Sequence, residues 1–202
     1  MLERALLVLA LLPMTLSACA SREVDPRSVI HAPNEEYVGR VAQSINGSKF
    51  WQAYFAHLAP DPATARPLIA VNLAMERDST PTHDGDYDPG TVEIHFSVTN
   101  LRNGAQLYRH EASTRLDDVI YGLFEENATR EDIQKAAFEE AEDDVFPYIH
   151  RWVNIAAVRA IGELGAHGRS FTPMLEEQSE DPWAEDLASE ARLALKAIHG
   201  IP

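Results

Sequence analysis

Apolar side chains first recur along the chain at the spacing of α-helices. One run ends at Asn46-Gly47-Ser48, and a second run, rich in aromatic rings, ends before Pro60. The first run consists of Tyr37, Val38, Val41 and Ile45, and the second of Phe50, Trp51, Tyr54, Phe55 and Leu58. Residues three and four apart share one helix face, so the pattern predicts two short helices. The aromatic stripe is compatible with a binding face, but we expect it to form part of the core.

The middle of the chain carries the alternation typical of strands. Residues 91–99 place Val92, Ile94, Phe96 and Val98 on one face and polar residues on the other. Arg102-Asn103-Gly104 suits a three-residue hairpin loop with glycine in the left-handed conformation. This loop sets Val98 opposite Tyr108 and Phe96 opposite His110. With a further strand over 68–75 and the return strand over 106–114, the pattern predicts an antiparallel meander of three strands, with one face packed on the aromatic helix.

The pattern in the last third of the chain predicts helices. Thr129 suits a helix N-cap, and Pro147 is expected to start or kink the next helix. The stretch from Ile149 to Leu164 is apolar on several sides, so it should lie between neighbouring elements. A short helix over 173–178 and a last helix ending at Gly200 complete the pattern. The fold class predicted is α+β, with an α+β unit at 35–115 and a helical region at 116–202.

The helical region resembles HEAT-type repeats. Residues 157–165, Ala-Val-Arg-Ala-Ile-Gly-Glu-Leu-Gly, are similar to an inner helix, and 171–176 to the outer helix of the next unit. Asp181-Pro182 followed by 191–198 is similar to its turn and inner helix, although Trp183–Ser189 inserts extra residues there. The resemblance implies HEAT-like helical hairpins that bind proteins and carry out no chemistry. An unrelated helical bundle is the alternative.

An apolar stretch of twelve residues, Ala5–Leu16, lies near the N-terminus. A helix needs about 20 residues to cross a bilayer, so this stretch is typical of a secretory signal. It ends in Leu16-Ser17-Ala18-Cys19, which contains the single cysteine of the chain and resembles the bacterial lipobox. The resemblance implies a lipoprotein with a signal peptide over 1–18, a lipid on Cys19 and a tether over 19–34. The alternative is an ordinary buried cysteine.

The residues after Cys19 bear on the destination of such a lipoprotein. Sorting rules of lipoproteins retain proteins with aspartate after the cysteine in the inner membrane. In this chain Ala20 and Ser21 follow, which favours the outer membrane and a body that faces the periplasm.

The net charge of −15 limits the partners. Such a surface repels nucleic-acid phosphates and anionic lipid headgroups, so no nucleic-acid partner is expected. It suits a soluble body held near a membrane, either for solubility alone or to meet a basic partner. With Cys19 acylated no thiol remains for disulfides or thiolate metal sites.

Candidate chemistry is sparse. His83, Asp84, Asp86 and Asp88 begin like a calcium loop, but Pro89 stands at the glycine position, so we expect a solvated acidic loop. In the predicted register His95 and His110 face opposite sides of the sheet and cannot share a metal ion. The sequence contains no zincin motif, nucleophile elbow, P-loop or dinucleotide fingerprint. We therefore predict no catalytic residue, cofactor or metal.

The preferred hypothesis is a non-catalytic envelope lipoprotein that binds or positions another protein. Aromatic residues dominate interface energetics, so exposed members of the set Trp152, Phe171 and Trp183 are the candidate contacts, with core packing as the alternative. Two other functions stay open. Residues 67–114 resemble in outline the last strands of lipoproteins that activate peptidoglycan synthases. The third function is that of an envelope hydrolase that uses carboxylates. A deep pocket lined by two close carboxylates or by His95 would favour this third function.

Overall fold

The computed structural model describes residues 27–59, 67–78, 91–115 and 130–202. Cys19, the acidic loop at 83–88 and Thr129 lie outside these residues. The elements in chain order are β1 (Ser28–His31), α1 (Glu35–Gly47), α2 (Lys49–Leu58), β2 (Ile69–Asp78), β3 (Thr91–Asn100), β4 (Gln106–Arg115), α3 (Arg130–Gly162), a 3-10 segment (Gly165–Phe171), α4 (Thr172–Ser179) and α5 (Glu185–His199). This is an α+β fold, as the sequence predicts.

Helices α1 and α2 meet at a single capping residue. Asn34 starts α1, where its Oδ1 accepts from the backbone N–H groups of Glu36 and Tyr37 at 3.0 and 3.1 Å. Ser48 ends α1 and caps α2, and its Oγ accepts from Trp51 N at 3.3 Å. The break at residues 46–48 is therefore confirmed. The aromatic stripe of α2 is buried in the core, with Phe55 fully inaccessible.

The register of the β3–β4 hairpin matches the prediction up to Val98, but it shifts by one residue between Val98 and Thr99, so that Thr99 pairs with Gln106. Val98 pairs with Tyr108 and Phe96 pairs with His110. Gly104 adopts a φ of +73°, in the left-handed region that suits glycine. The loop is one residue longer than predicted, because the Asn100 N to Ala105 O bond of 2.8 Å encloses residues 101–104.

The sheet has four described strands, in the order β1-β2-β3-β4, and the predicted three-stranded meander was incomplete. Strand β1 pairs in parallel with β2, with Ser28 opposite Ile69 and His31 opposite Asn72. It falls inside the range 19–34 that was predicted to be a tether. Four residues are too few to show an alternation, and a parallel partner leaves no turn signal nearby.

Helix α3 runs unbroken from Arg130 to Gly162, with Pro147 inside it. Of the two alternatives predicted for Pro147, the start of a helix is therefore wrong, and a kink at this residue stays a prediction. Gly165 takes a φ of +52° shortly after α3 ends, and Gly200 takes +66° after α5. Helix α5 packs against α3 and α4. HEAT-like packing of these helices stays a prediction.

One core joins the strands to the helical region, since buried side chains of both form a continuous cluster. Helix α3 contacts β3 and β4 as well as α1, α2 and α5. Trp51 Nε1 donates to the carbonyl of Val153 at 2.9 Å. Arg159 binds both carboxylate oxygens of Glu190 and donates to the carbonyl of Leu107 at 3.1 Å. Among the helices described, none is both long and apolar enough to span a bilayer.

Candidate binding groove

A surface groove of about 480 Å³ lies where three distant parts of the chain meet. We name it the Trp183 groove. One wall is the junction of α1 and α2, the floor is the middle of α3, and the other wall is the turn between α4 and α5. Its lining residues are Gly47, Ser48, Lys49, Phe50, His150, Arg151, Asn154, Gln178, Asp181, Trp183, Ala184 and Leu187. Concave sites of this volume accommodate small ligands or a few side chains of a partner.

The floor of the groove carries a chain of hydrogen bonds. Ser48, only 1% exposed, donates from its Oγ to Asn154 Oδ1 at 2.6 Å. The Asn154 amide Nδ2 lies 2.9 Å from His150 Nε2. The hydroxyl proton of Ser48 therefore points at an amide oxygen and not at the imidazole. Since no general base accepts that proton, the arrangement does not form an activated nucleophile.

The positive charges of the groove are paired with carboxylates. Lys49 Nζ lies 3.2 Å from Glu177 Oε1, and the guanidinium of Arg151 binds Asp186 at the start of α5. Burial acts to raise the pKa of Asp186, but hydrogen bonds from Arg151 and from the helix backbone outweigh it and lower that pKa. These ion pairs link α2 to α4 and α3 to α5 at the surface.

Trp183 forms the rim of the groove and is 93% exposed. The preceding Asp181 holds the turn, because its Oδ1 accepts from Trp183 N at 2.9 Å and its Oδ2 accepts from Gln178 Nε2 at 3.3 Å. The turn thus fixes the backbone of Trp183 while its indole ring stays in solvent. The ring lies in the segment Trp183–Ser189 that departs from the HEAT-like pattern.

The other two predicted contact residues belong to the core. Trp152 is 6% exposed and stacks on His110, with ring centroids 4.4 Å apart. Phe171 is 4% exposed and meets the ring of His57 edge-on at 5.3 Å. For Trp152 and Phe171 the structure therefore favours core packing, and Trp183 is the exposed member of the set.

The two sheet histidines face opposite sides, as the register predicts. His110 lies against Trp152 on the core side, where burial lowers its pKa. His95 lies on the other face, 3.5 Å from Glu93 Oε2 and 3.5 Å from Glu111 Oε1. A hydrogen bond from Arg109 is the main cause that lowers the pKa of Glu111. Within the described ranges, no group of three or more His, Cys, Asp and Glu side chains is placed to hold a metal ion.

Sequence reasoning missed the groove itself. Its walls come from residues 47–50, 150–154 and 178–187, and no spacing along the chain shows that these segments meet. The one available signal was Trp183, an aromatic residue placed among acidic ones.

Comparison with known proteins adds little to this geometry. No protein-family model matches the chain, and no curated protein matches it. A crystal structure of a Caulobacter crescentus CB15 protein, provisionally described as a lipoprotein, shares 12% sequence identity over 63% of this chain and 90% of that one, with a TM-score of 0.28. Structural similarity at this level supports no inference about fold or function.

Proposed function

We propose that this chain is a lipid-anchored envelope lipoprotein that acts as a non-catalytic binding module for another protein. The Trp183 groove is its contact surface. The observation that carries the proposal is Trp183, an indole ring 93% exposed at the rim of a formed groove. The membrane attachment rests on the lipobox-like Leu16-Ser17-Ala18-Cys19.

Folding leaves the Trp183 ring in solvent, so the ring can still be buried when a partner binds. A buried aromatic ring removes roughly 150 Å² or more from water, which at about 25 cal/mol per Å² contributes ~4 kcal/mol before ordering costs. Tryptophan is enriched among residues that dominate protein–protein interfaces. The fixed backbone of the 181–183 turn lowers the entropy lost when the ring is covered.

The composition of the groove favours binding over hydrolysis. Among the described lining residues Asp181 is the one carboxylic acid, and both of its oxygens hold the turn. Acid–base hydrolysis with a carboxylate pair needs two such groups near the scissile bond. His95, the other residue that would favour an enzyme, does not line the groove.

The anchor is tested by labelling with an alkyne analogue of palmitate. The native chain is expected to take up the label and to fractionate with outer membranes, while Cys19→Ser should do neither. Uptake of the label by Cys19→Ser, or an unlabelled native chain in the soluble fraction, contradicts the anchor.

The contact surface is tested by photo-crosslinking in cells. A benzophenone amino acid is placed at position 183 and, as a matched control, at position 193, where Leu193 is 55% exposed but does not line the groove. We expect a discrete protein adduct from position 183 and none from position 193. Equal adducts from both positions, or none from 183, would remove the support for the groove as the contact surface.

A further inference from the structure

We propose that the partner presents an arginine side chain to Trp183 at the rim of the groove, where its guanidinium stacks on the indole and pairs with the carboxylates of the α4–α5 turn. This inference rests on the proposed function and specifies the chemistry of the partner. The occupant is a basic segment of a polypeptide.

The charged residues that flank Trp183 in the sequence are acidic. Glu180, Asp181, Glu185 and Asp186 all lie within three positions of the tryptophan. No lysine or arginine occurs from Glu176 to Ala191. The whole chain has a net charge of −15, so its electrostatic potential attracts a cationic segment of a partner.

The cations nearest to the turn do not neutralise all of this charge. Arg151 pairs with Asp186, and Arg192 pairs with Glu185. Among the described residues, the donors to Asp181 are neutral, namely the Trp183 backbone and the Gln178 amide. Glu180 is exposed and forms no salt bridge with the part of the chain that is described. Among the described residues, two carboxylates within three positions of Trp183 in the sequence are thus left without a cation.

An exposed indole in an acidic turn suits arginine better than lysine. The planar guanidinium stacks on an aromatic ring and still donates sideways to a carboxylate. The chain uses the same contact internally, where Arg40 lies 3.6 Å above the ring of Phe146 and Arg27 lies 4.6 Å above that of Phe55. An apolar peptide would use the ring but would leave the carboxylates unused. A neutral saccharide could stack on the ring and donate its hydroxyls to the carboxylates, but it would leave their charge uncompensated.

The binding experiment uses the purified full chain in detergent and three fluorescein-labelled hexapeptides of sequence Ser-Gly-X-X-Gly-Ser. X is arginine, lysine or citrulline, the last being uncharged but of the shape of arginine. Affinity, measured by fluorescence anisotropy, should be highest for the arginine peptide. The citrulline peptide should bind roughly 5-fold or more weakly than the arginine peptide. Added salt should weaken the arginine peptide most.

Matched variants assign the binding to this surface. Trp183→Ala should weaken the arginine peptide ~5-fold. Glu180→Gln should weaken it ~2-fold, whereas Glu35→Gln, which removes an equal charge from the exposed first turn of α1, should not. Equal affinity for arginine and citrulline, equal effects of Glu180→Gln and Glu35→Gln, or tighter binding of a chitin hexasaccharide overturns the inference.

The crosslink from position 183 separates this inference from the proposed function. Mass spectrometry of the adduct should place the crosslinked site within a segment that contains arginine or lysine. An adduct on a segment without them overturns the basic partner and leaves protein binding in place. The absence of any adduct overturns both.

Discussion

Replacing Ser48 by alanine is expected to destabilise the chain through two separate losses. The hydroxyl caps α2 through Trp51 N, and a lost serine cap costs ~1 kcal/mol. It also donates to Asn154 across the groove floor, and a net hydrogen bond contributes ~1 kcal/mol. The free energy of unfolding should therefore fall by ~2 kcal/mol. Asn154→Ala should cost ~1–3 kcal/mol, because it leaves the buried Ser48 hydroxyl without its acceptor.

A double-mutant cycle isolates the bond between these two side chains. Urea unfolding of the native chain, both single variants and the double variant should give a coupling of ~1 kcal/mol with unchanged m-values. Pairing Asn154→Ala with Ser97→Ala, on the outer face of the sheet, is the control and should be additive within ~0.5 kcal/mol. A coupling for Ser48 and Asn154 no larger than the control would show that this bond does not hold the groove floor.

Two further predictions concern the aromatic residues and the core histidine. Trp152→Ala should lower the free energy of unfolding by ~3–5 kcal/mol, because its ring is only 6% exposed. Trp183→Ala should lower it by less than ~0.5 kcal/mol, because its ring is 93% exposed. Similar losses for both variants in thermal unfolding would contradict both assignments. Burial lowers the pKa of His110 below its usual 6.5 in the folded chain. The unfolded chain therefore binds this proton more readily, and the free energy of unfolding should fall as the pH drops below 6.5 towards the folded-state pKa. His110→Gln should reduce this fall between pH 7.5 and 5.0, measured as the urea midpoint, and an unchanged fall would show that His110 is not the group responsible.

Much of the fold was predictable because its signals are local. Alternation over 91–99 and a glycine at position 104 were enough to predict the pairing of Val98 with Tyr108 and of Phe96 with His110, since strand faces repeat every two residues. They did not predict the register shift between Val98 and Thr99. The burial of Trp152 agreed with its apolar neighbours at helical spacing. What the sequence did not reveal depends on contacts between distant segments. The parallel pairing of β1 with β2 and the meeting of Ser48 with Asn154, 106 positions apart, are examples.

With the proposed lipid on Cys19, strand β1 would limit how far the body of this protein stands from a bilayer. Arg27 lies eight residues after Cys19, and an extended chain spans at most ~3.6 Å per residue. A lipid on Cys19 would then restrict the sheet to within about 30 Å of the headgroups, because the next residues are already bound to β2. A partner held in the same leaflet would then meet this body at a raised effective concentration.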